Sequence, residues 1–164
     1  MKCIKTITQD ISRPFVKYSK GSCEGRIEIL RNEEIDTPLV SIIIPTVDKT
    51  RDGYLPELLK QIEQQSFQNW EIILIVKDSR QGRAINCGAQ LAAGKYLVTF
   101  DDDTKLGPDD LLEKMVHHME MHPEFGMAGV ANIPPEDASP FVRKVMAQLP
   151  RRTSPIVHQI VGSD

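Results

Sequence analysis

Two apolar runs limit what this chain can fold into. Leu39-Val-Ser-Ile-Ile-Ile44 and Glu71-Ile-Ile-Leu-Ile-Val76 are β-branched and apolar almost throughout, without the alternation of a strand that has one wet face. That pattern belongs to strands covered on both faces, as in a parallel sheet. Between them Leu55, Leu58, Leu59 and Ile62 recur at helical spacing in a segment ending near Ser66, which completes a βαβ unit.

The same order continues downstream. A second helix is expected over roughly Gly82 to Ala93, with Ile85, Ala89 and Ala92 inward and Gly94 as its stop, followed by a strand from Tyr96 to Phe100. Gly107-Pro-Asp-Asp110 reads as a helix start, with Leu111, Leu112, Met115, Val116 and Met119 as its buried stripe and Pro123 as its end. Residues 127–131, Met-Ala-Gly-Val-Ala, read as a fourth strand, and Phe141, Val142, Val145, Met146 and Leu149 suit one more short helix. Ile156 to Val161 reads as a further strand. Residues 1–38 alternate only weakly, as in Arg26-Ile-Glu-Ile-Leu30, and are expected to form a loosely structured preface to a domain over 39–164. The expected class is α/β, an open, mainly parallel sheet with flanking helices, whose ligands bind where strands end and their order reverses.

Composition narrows the partners. A chain of 164 residues, 40% hydrophobic and 26% charged, is long enough for one domain with a real core. Its formal net charge of -3 supplies no positive field for nucleic acid or an anionic membrane, so nucleic acid is not an expected partner. Cys3, Cys23 and Cys87 have no disulfide or zinc-finger spacing, which suits a reducing cytosol. The longest apolar run is far too short to span a bilayer, so the chain by itself is expected to be soluble.

Phe100-Asp-Asp-Asp-Thr104 places three carboxylates at the end of the third apolar strand. Their repulsion costs energy unless a cation or hydrogen-bond donors compensate. Asp101 and Asp103, two apart, can point the same way, one toward a ribose hydroxyl and the other toward a divalent metal clamping a diphosphate. A solvated acidic loop ahead of a helix is the plainer reading of the same spacing. Asp78, just past the second strand, shares a crevice in this topology with Pro45 and Thr46 at the end of the first. There it can accept a base N–H, or simply form a turn in Lys-Asp-Ser. Arg83 lies near a helix N-terminus, able to pair with a phosphate or an acidic side chain. Asn86 either faces solvent or reaches a neighbouring loop. His118 and His122 share a helix face, but His117-His-Met-Glu-Met-His122 lacks the order of a metal helix and suits the negative end of the dipole. Pro150-Arg-Arg-Thr153 reads as a solvated turn.

In their order these motifs resemble the family 2 glycosyltransferases of the GT-A fold, a Rossmann-like arrangement, from Pro38 to about Leu112. VSIIIPT resembles the opening strand, QQSFQNWEIILIV the second, and GRAINCGAQLAAGKYLVTFDDDT the passage into the acidic triplet. The resemblance implies that Pro45 and Thr46 line the base pocket, that Asp78 contacts the base, usually uracil, and that Arg83 and Asn86 lie near the nucleotide. It further implies that Asp101 and Asp102 contact the ribose or diphosphate, and that Asp103 with Asp101 holds Mg2+ or Mn2+. The donor is then a UDP-sugar, passed with inversion to a glycan, lipid or protein acceptor. The location implied is cytoplasmic, at the inner face of a membrane where a full-length form carries membrane segments. Val47-Asp48 departs from the family's aromatic-Asn after Pro-Thr, and Lys77-Asp78-Ser79 is a reduced form of its acidic turn. The family's catalytic base lies well downstream of the triplet. The base is therefore expected beyond Asp164, because Glu136 and Asp137 come too soon, and the chain is expected to be a truncated product or one piece of a longer protein. A non-catalytic remnant that binds nucleotide or a partner without transfer is the alternative. A haloacid dehalogenase pattern fails because Lys105 stands where threonine is required.

Overall fold

The two apolar runs lie side by side as parallel strands. In the computed structural model, which describes residues 4–9, 25–32, 35–130, 133–134 and 137–148, the chain divides into two compact units, Met1–His122 and Pro123–Asp164. The first contains β1 (Ile4–Gln9), β2 (Arg26–Asn32), β3 (Val40–Thr46), α1 (Tyr54–Glu63), β4 (Trp70–Val76), α2 (Gln81–Leu91), β5 (Tyr96–Thr99) and α3 (Leu111–Met121). The sheet order is β1-β2-β4-β3-β5. β3 pairs in parallel with β4 and β5, and β2 pairs antiparallel with β4 and β1. An open α/β sheet with flanking helices is therefore present. Within residues 1–38, where the sequence suggested a loosely structured preface, the described stretches Ile4–Gln9 and Arg26–Asn32 add two strands at the sheet edge.

The sheet is covered on both faces, as its apolar strands require. On one face Val40, Ile42, Ile44, Ile72 and Leu74 meet Leu55, Leu58 and Ile62 of α1 and Leu112 of α3. On the other, Ile73, Ile75, Ile27 and Ile29 meet Ala84 and Cys87 of α2. Each fully buried Leu or Ile of this kind is worth about 1.5–3 kcal/mol. Successive crossovers thus lie on opposite faces, and the chain reverses its direction of travel at β3. The C-terminal ends of β4, β3 and β5 border that switch point.

The opposite ends of these strands are tied by a buried carboxylate. Glu71, fully buried, accepts from Ser41 Oγ at 2.6 Å, Arg31 Nε at 2.6 Å and Ala93 N at 2.8 Å. Gly94 N donates to Ser41 Oγ at 2.9 Å, so the link from α2 into β5 is fastened to β3 and β4.

Other expectations are adjusted. Helix α3 begins at Leu111, and Pro108 and Asp109 form the turn before it; Leu112 alone of the expected stripe is fully buried, the remainder half-buried. Asp110 at its N-cap makes no side-chain cap bond. Buried Gln65 of the α1 C-terminal turn serves instead, accepting from Leu112 N at 3.0 Å and donating to Pro108 O at 3.1 Å. Gln61 accepts from Leu106 N at 2.8 Å, so α1 holds the arm that follows the acidic triplet.

In the second unit α4 (Pro140–Gln148) forms over the helical spacing read there, with Val142 N donating to Ser139 Oγ at 3.3 Å. The fourth strand expected at 127–131 is not formed over its described residues 127–130. Gly126 and Gly129 weaken so short an apolar run, and Met127 and Val130 are exposed. The strand read at 156–161 lies outside the described residues. No helix among the described residues is long and apolar enough to cross a membrane.

Candidate functional site

Register decides which residues meet at the switch point. Thr46 stands opposite Val76, so β3 and β4 end together, whereas β5 ends with Thr99 opposite Ile43. Phe100 N still donates to Ile43 O at 3.2 Å, and Asp101 to Asp103 then leave the sheet beside the last residues of β3. Asp101 O accepts from Thr104 N at 3.0 Å, closing the triplet into a turn.

At the end of β3, Pro45 is half-buried and Thr46 buried. Thr46 O accepts from Lys77 N at 2.9 Å, but among the described residues Thr46 Oγ1 is buried without a hydrogen-bond partner. An unpaired buried hydroxyl costs free energy, and a ligand polar group is one way to meet it.

At the end of β4, Lys77 adopts a φ of 65° and delivers Asp78 toward α2. Arg83 Nε lies 3.0 Å from both Asp78 oxygens, its Nη2 is 2.8 Å from Oδ1, and Arg80 N donates to Oδ1 at 2.9 Å. The Asp78 side chain is 0% exposed and that of Arg83 12%. Of the two partners open to Arg83 from its position, the structure provides the acidic one. Asn86, one turn further along α2, is exposed.

The triplet's carboxylates go to two different donors. Asp101 Oδ1 accepts from Gln81 Nε2 at 2.7 Å. Asp102 Oδ1 lies 3.3 Å from Arg51 Nε, and Asp103 Oδ2 3.3 Å from Arg51 Nη2. Arg51 is the cationic side chain the sequence left unmarked. Its loop is organised by Asp48, whose Oδ1 accepts from Arg51 N at 2.7 Å, Thr50 Oγ1 at 2.8 Å and Thr50 N at 2.9 Å. The Arg51 N–H bond, then those from Thr50, hold the Asp48 carboxyl below its usual value of 3.8. The hydrogen bond to Asp103, then the charge of Asp102, raises the Arg51 pKa. The backbone then turns through positive φ at Arg51 (40°), Asp52 (54°) and Gly53 (92°) into α1. Asp48-x-Thr50 was the one signal of this turn available in the sequence.

Carboxylate oxygens on an exposed turn are the donor type that Mg2+ and Mn2+ take. Among the described residues, no three His, Cys, Asp or Glu side chains converge into a metal group. A cation at Asp103 would share that carboxylate with Arg51. The His118 and His122 rings meet in a tilted contact, centroids 4.8 Å apart and planes at 52°. Glu136, Arg151 and Arg152 lie outside the described residues.

Residues 76–145, which run from the end of β4 through α2, β5, the triplet and α3, match the sequence model of glycosyl transferase family 2. An uncharacterized protein, y4gI, of Sinorhizobium fredii (strain NBRC 101917 / NGR234) is 24% identical over an alignment covering 61% of this chain. The match spans only 14% of that protein's length.

Proposed function

From the match of residues 76–145 to glycosyl transferase family 2, we propose that the C-terminal edge of the sheet binds a nucleoside-diphosphate sugar, a UDP-sugar, for transfer to an acceptor hydroxyl. The observation that carries the reading is the meeting of Thr46, the Asp78–Arg83 pair and the acidic turn at one switch point. In it, Pro45 and Thr46 at the end of β3 face the base, and the buried Asp78–Arg83 pair holds the end of β4 to α2 beside it. Asp101 and Asp102 take the ribose and the diphosphate side. A divalent cation held by Asp103 and Asp101 would neutralise charge on the departing diphosphate. Transfer follows by direct attack of a deprotonated acceptor hydroxyl on the anomeric carbon, with inversion; the acceptor is a glycan, lipid or protein.

Calorimetry with UDP and UDP-sugars, with and without Mn2+, on the wild type and Asp103→Ala tests donor binding. Metal-dependent binding that is lost in the variant supports the reading. Binding indifferent to both changes would sink it. A product assay with the same chain separates transfer from binding alone.

A further inference from the structure

We propose that Arg51 is a ligand of the donor's diphosphate, parked on Asp102 and Asp103 until the donor arrives. The inference rests on reading this edge as a nucleotide-sugar site. Four observations lead to it.

The backbone of Arg51 is tightly held, while its side chain is half in solvent. Asp48 pins the loop through three hydrogen bonds, and the run of positive φ from Arg51 to Gly53 leads the chain directly into α1. The side chain is 49% exposed, and its guanidinium makes two carboxylate contacts at 3.3 Å. Charge-assisted pairs of this type normally close to about 2.7–2.9 Å. The Arg83 pair a few residues past β4 reaches 2.8 Å and is buried, so the loose geometry is specific to Arg51.

Position and chemistry complete the case. Arg51 follows Thr46 by five residues, and among the described residues the buried hydroxyl of Thr46 has no hydrogen-bond partner. The loop that carries Arg51 therefore starts from the end of β3, where Thr46 stands. A planar fork of N–H donors suits two phosphate oxygens as well as it suits two carboxylates. Exchanging one for the other conserves the charge-assisted bonds and returns Asp103 to solvent or to a cation.

Calorimetric titration with UDP, with uridine as the phosphate-free probe, tests the assignment on the wild type, Arg51→Gln and Arg51→Lys. Arg51→Gln is expected to weaken UDP about tenfold or more while leaving uridine binding intact, with Arg51→Lys between it and the wild type. UDP affinity within twofold of wild type in Arg51→Gln overturns the inference and leaves the proposed function standing. Equal losses for UDP and uridine overturn it in favour of a purely structural arginine. A wild type that binds no UDP overturns the proposed function and this inference together. If Arg51→Gln does not fold, Arg51→Lys decides: it retains the charge but not the fork, and unchanged UDP affinity overturns the inference.

Discussion

Replacing Glu71 separates two ways of losing a buried carboxylate. Three donors converge on it: Ser41 Oγ and Ala93 N on Oε1, and Arg31 Nε on Oε2. Glu71→Ala strands the Ser41 and Ala93 donors, at about 1–3 kcal/mol each. Arg31, whose side chain is 29% exposed, recovers part of its loss from water. The expected cost is about 3–5 kcal/mol, the range for breaking a buried pair by removing one partner. Glu71→Gln can keep its carbonyl oxygen on Ser41 and Ala93. It then turns an NH2 donor against the Arg31 donor, and Arg31 can swing outward. Its cost should be about 1–2 kcal/mol, less than that of alanine.

Urea unfolding read by tryptophan fluorescence measures both variants. Trp70 is the single tryptophan, buried and adjacent in sequence to Glu71, so its signal reports on this end of the sheet. With a slope of about 2 kcal/mol per molar urea, 4 kcal/mol moves the midpoint by about 2 M. An alanine variant within about 1 kcal/mol of wild type, or glutamine worse than alanine, would refute the reasoning, because either outcome means that the converging donors do not set the stability of this corner.

Three further outcomes are expected. Arg83→Ala leaves the Asp78 carboxylate buried without its main partner and should cost about 3 kcal/mol or more, lowering the thermal midpoint by roughly 10 °C; a shift under about 2 °C would remove Arg83 from the scaffold. Gly94→Ala brings a Cβ within 2.7 Å of Ser41 N and 2.8 Å of Val40 C, backbone atoms that cannot step aside, and should cost about 1–3 kcal/mol in the same urea titration. Asp48 should titrate below 3.8 by NMR. Its contribution to folding is complete above that value and is lost as pH falls through the lower folded pKa. In Thr50→Ala its pKa should stay below 3.8, since the larger cause is the Arg51 N–H; a wild-type value at or above 3.8 would contradict the turn.

How much of this was legible depended on what each segment buries. β3 and β4 were plain because both faces are covered and nearly every residue is apolar. β2 was obscured by its charges. Ile27 and Ile29 face the core, but between them Glu28 is also buried, satisfied by Arg26 at 2.8 Å and Lys49 at 2.5 Å, and a buried charge imitates a wet face in a sequence. The MAGVA strand was the converse error, in which a short apolar run alone could not establish a strand-pairing partner. At the site, Thr46, Asp78 and the triplet were found because each follows a strand that periodicity could locate. Arg51 and Gln65 were missed because their partners lie 52 and 47 residues away, with no local pattern to mark the pairing.

The two arginines show how burial divides scaffold from exchangeable ligand at one sheet edge. Both face carboxylates. Arg83 holds Asp78 with both oxygens engaged and almost no water access, so leaving would abandon a buried charge, and a donor must bind to the pair as it stands. Arg51 holds Asp102 and Asp103 half in solvent at longer range, where an exposed pair contributes little stability and release is easily offset by an incoming phosphate. The same chemistry therefore predicts opposite behaviour. Substitution at Arg83 should appear first in unfolding and only then in binding, and substitution at Arg51 should appear in UDP affinity with the unfolding midpoint unchanged.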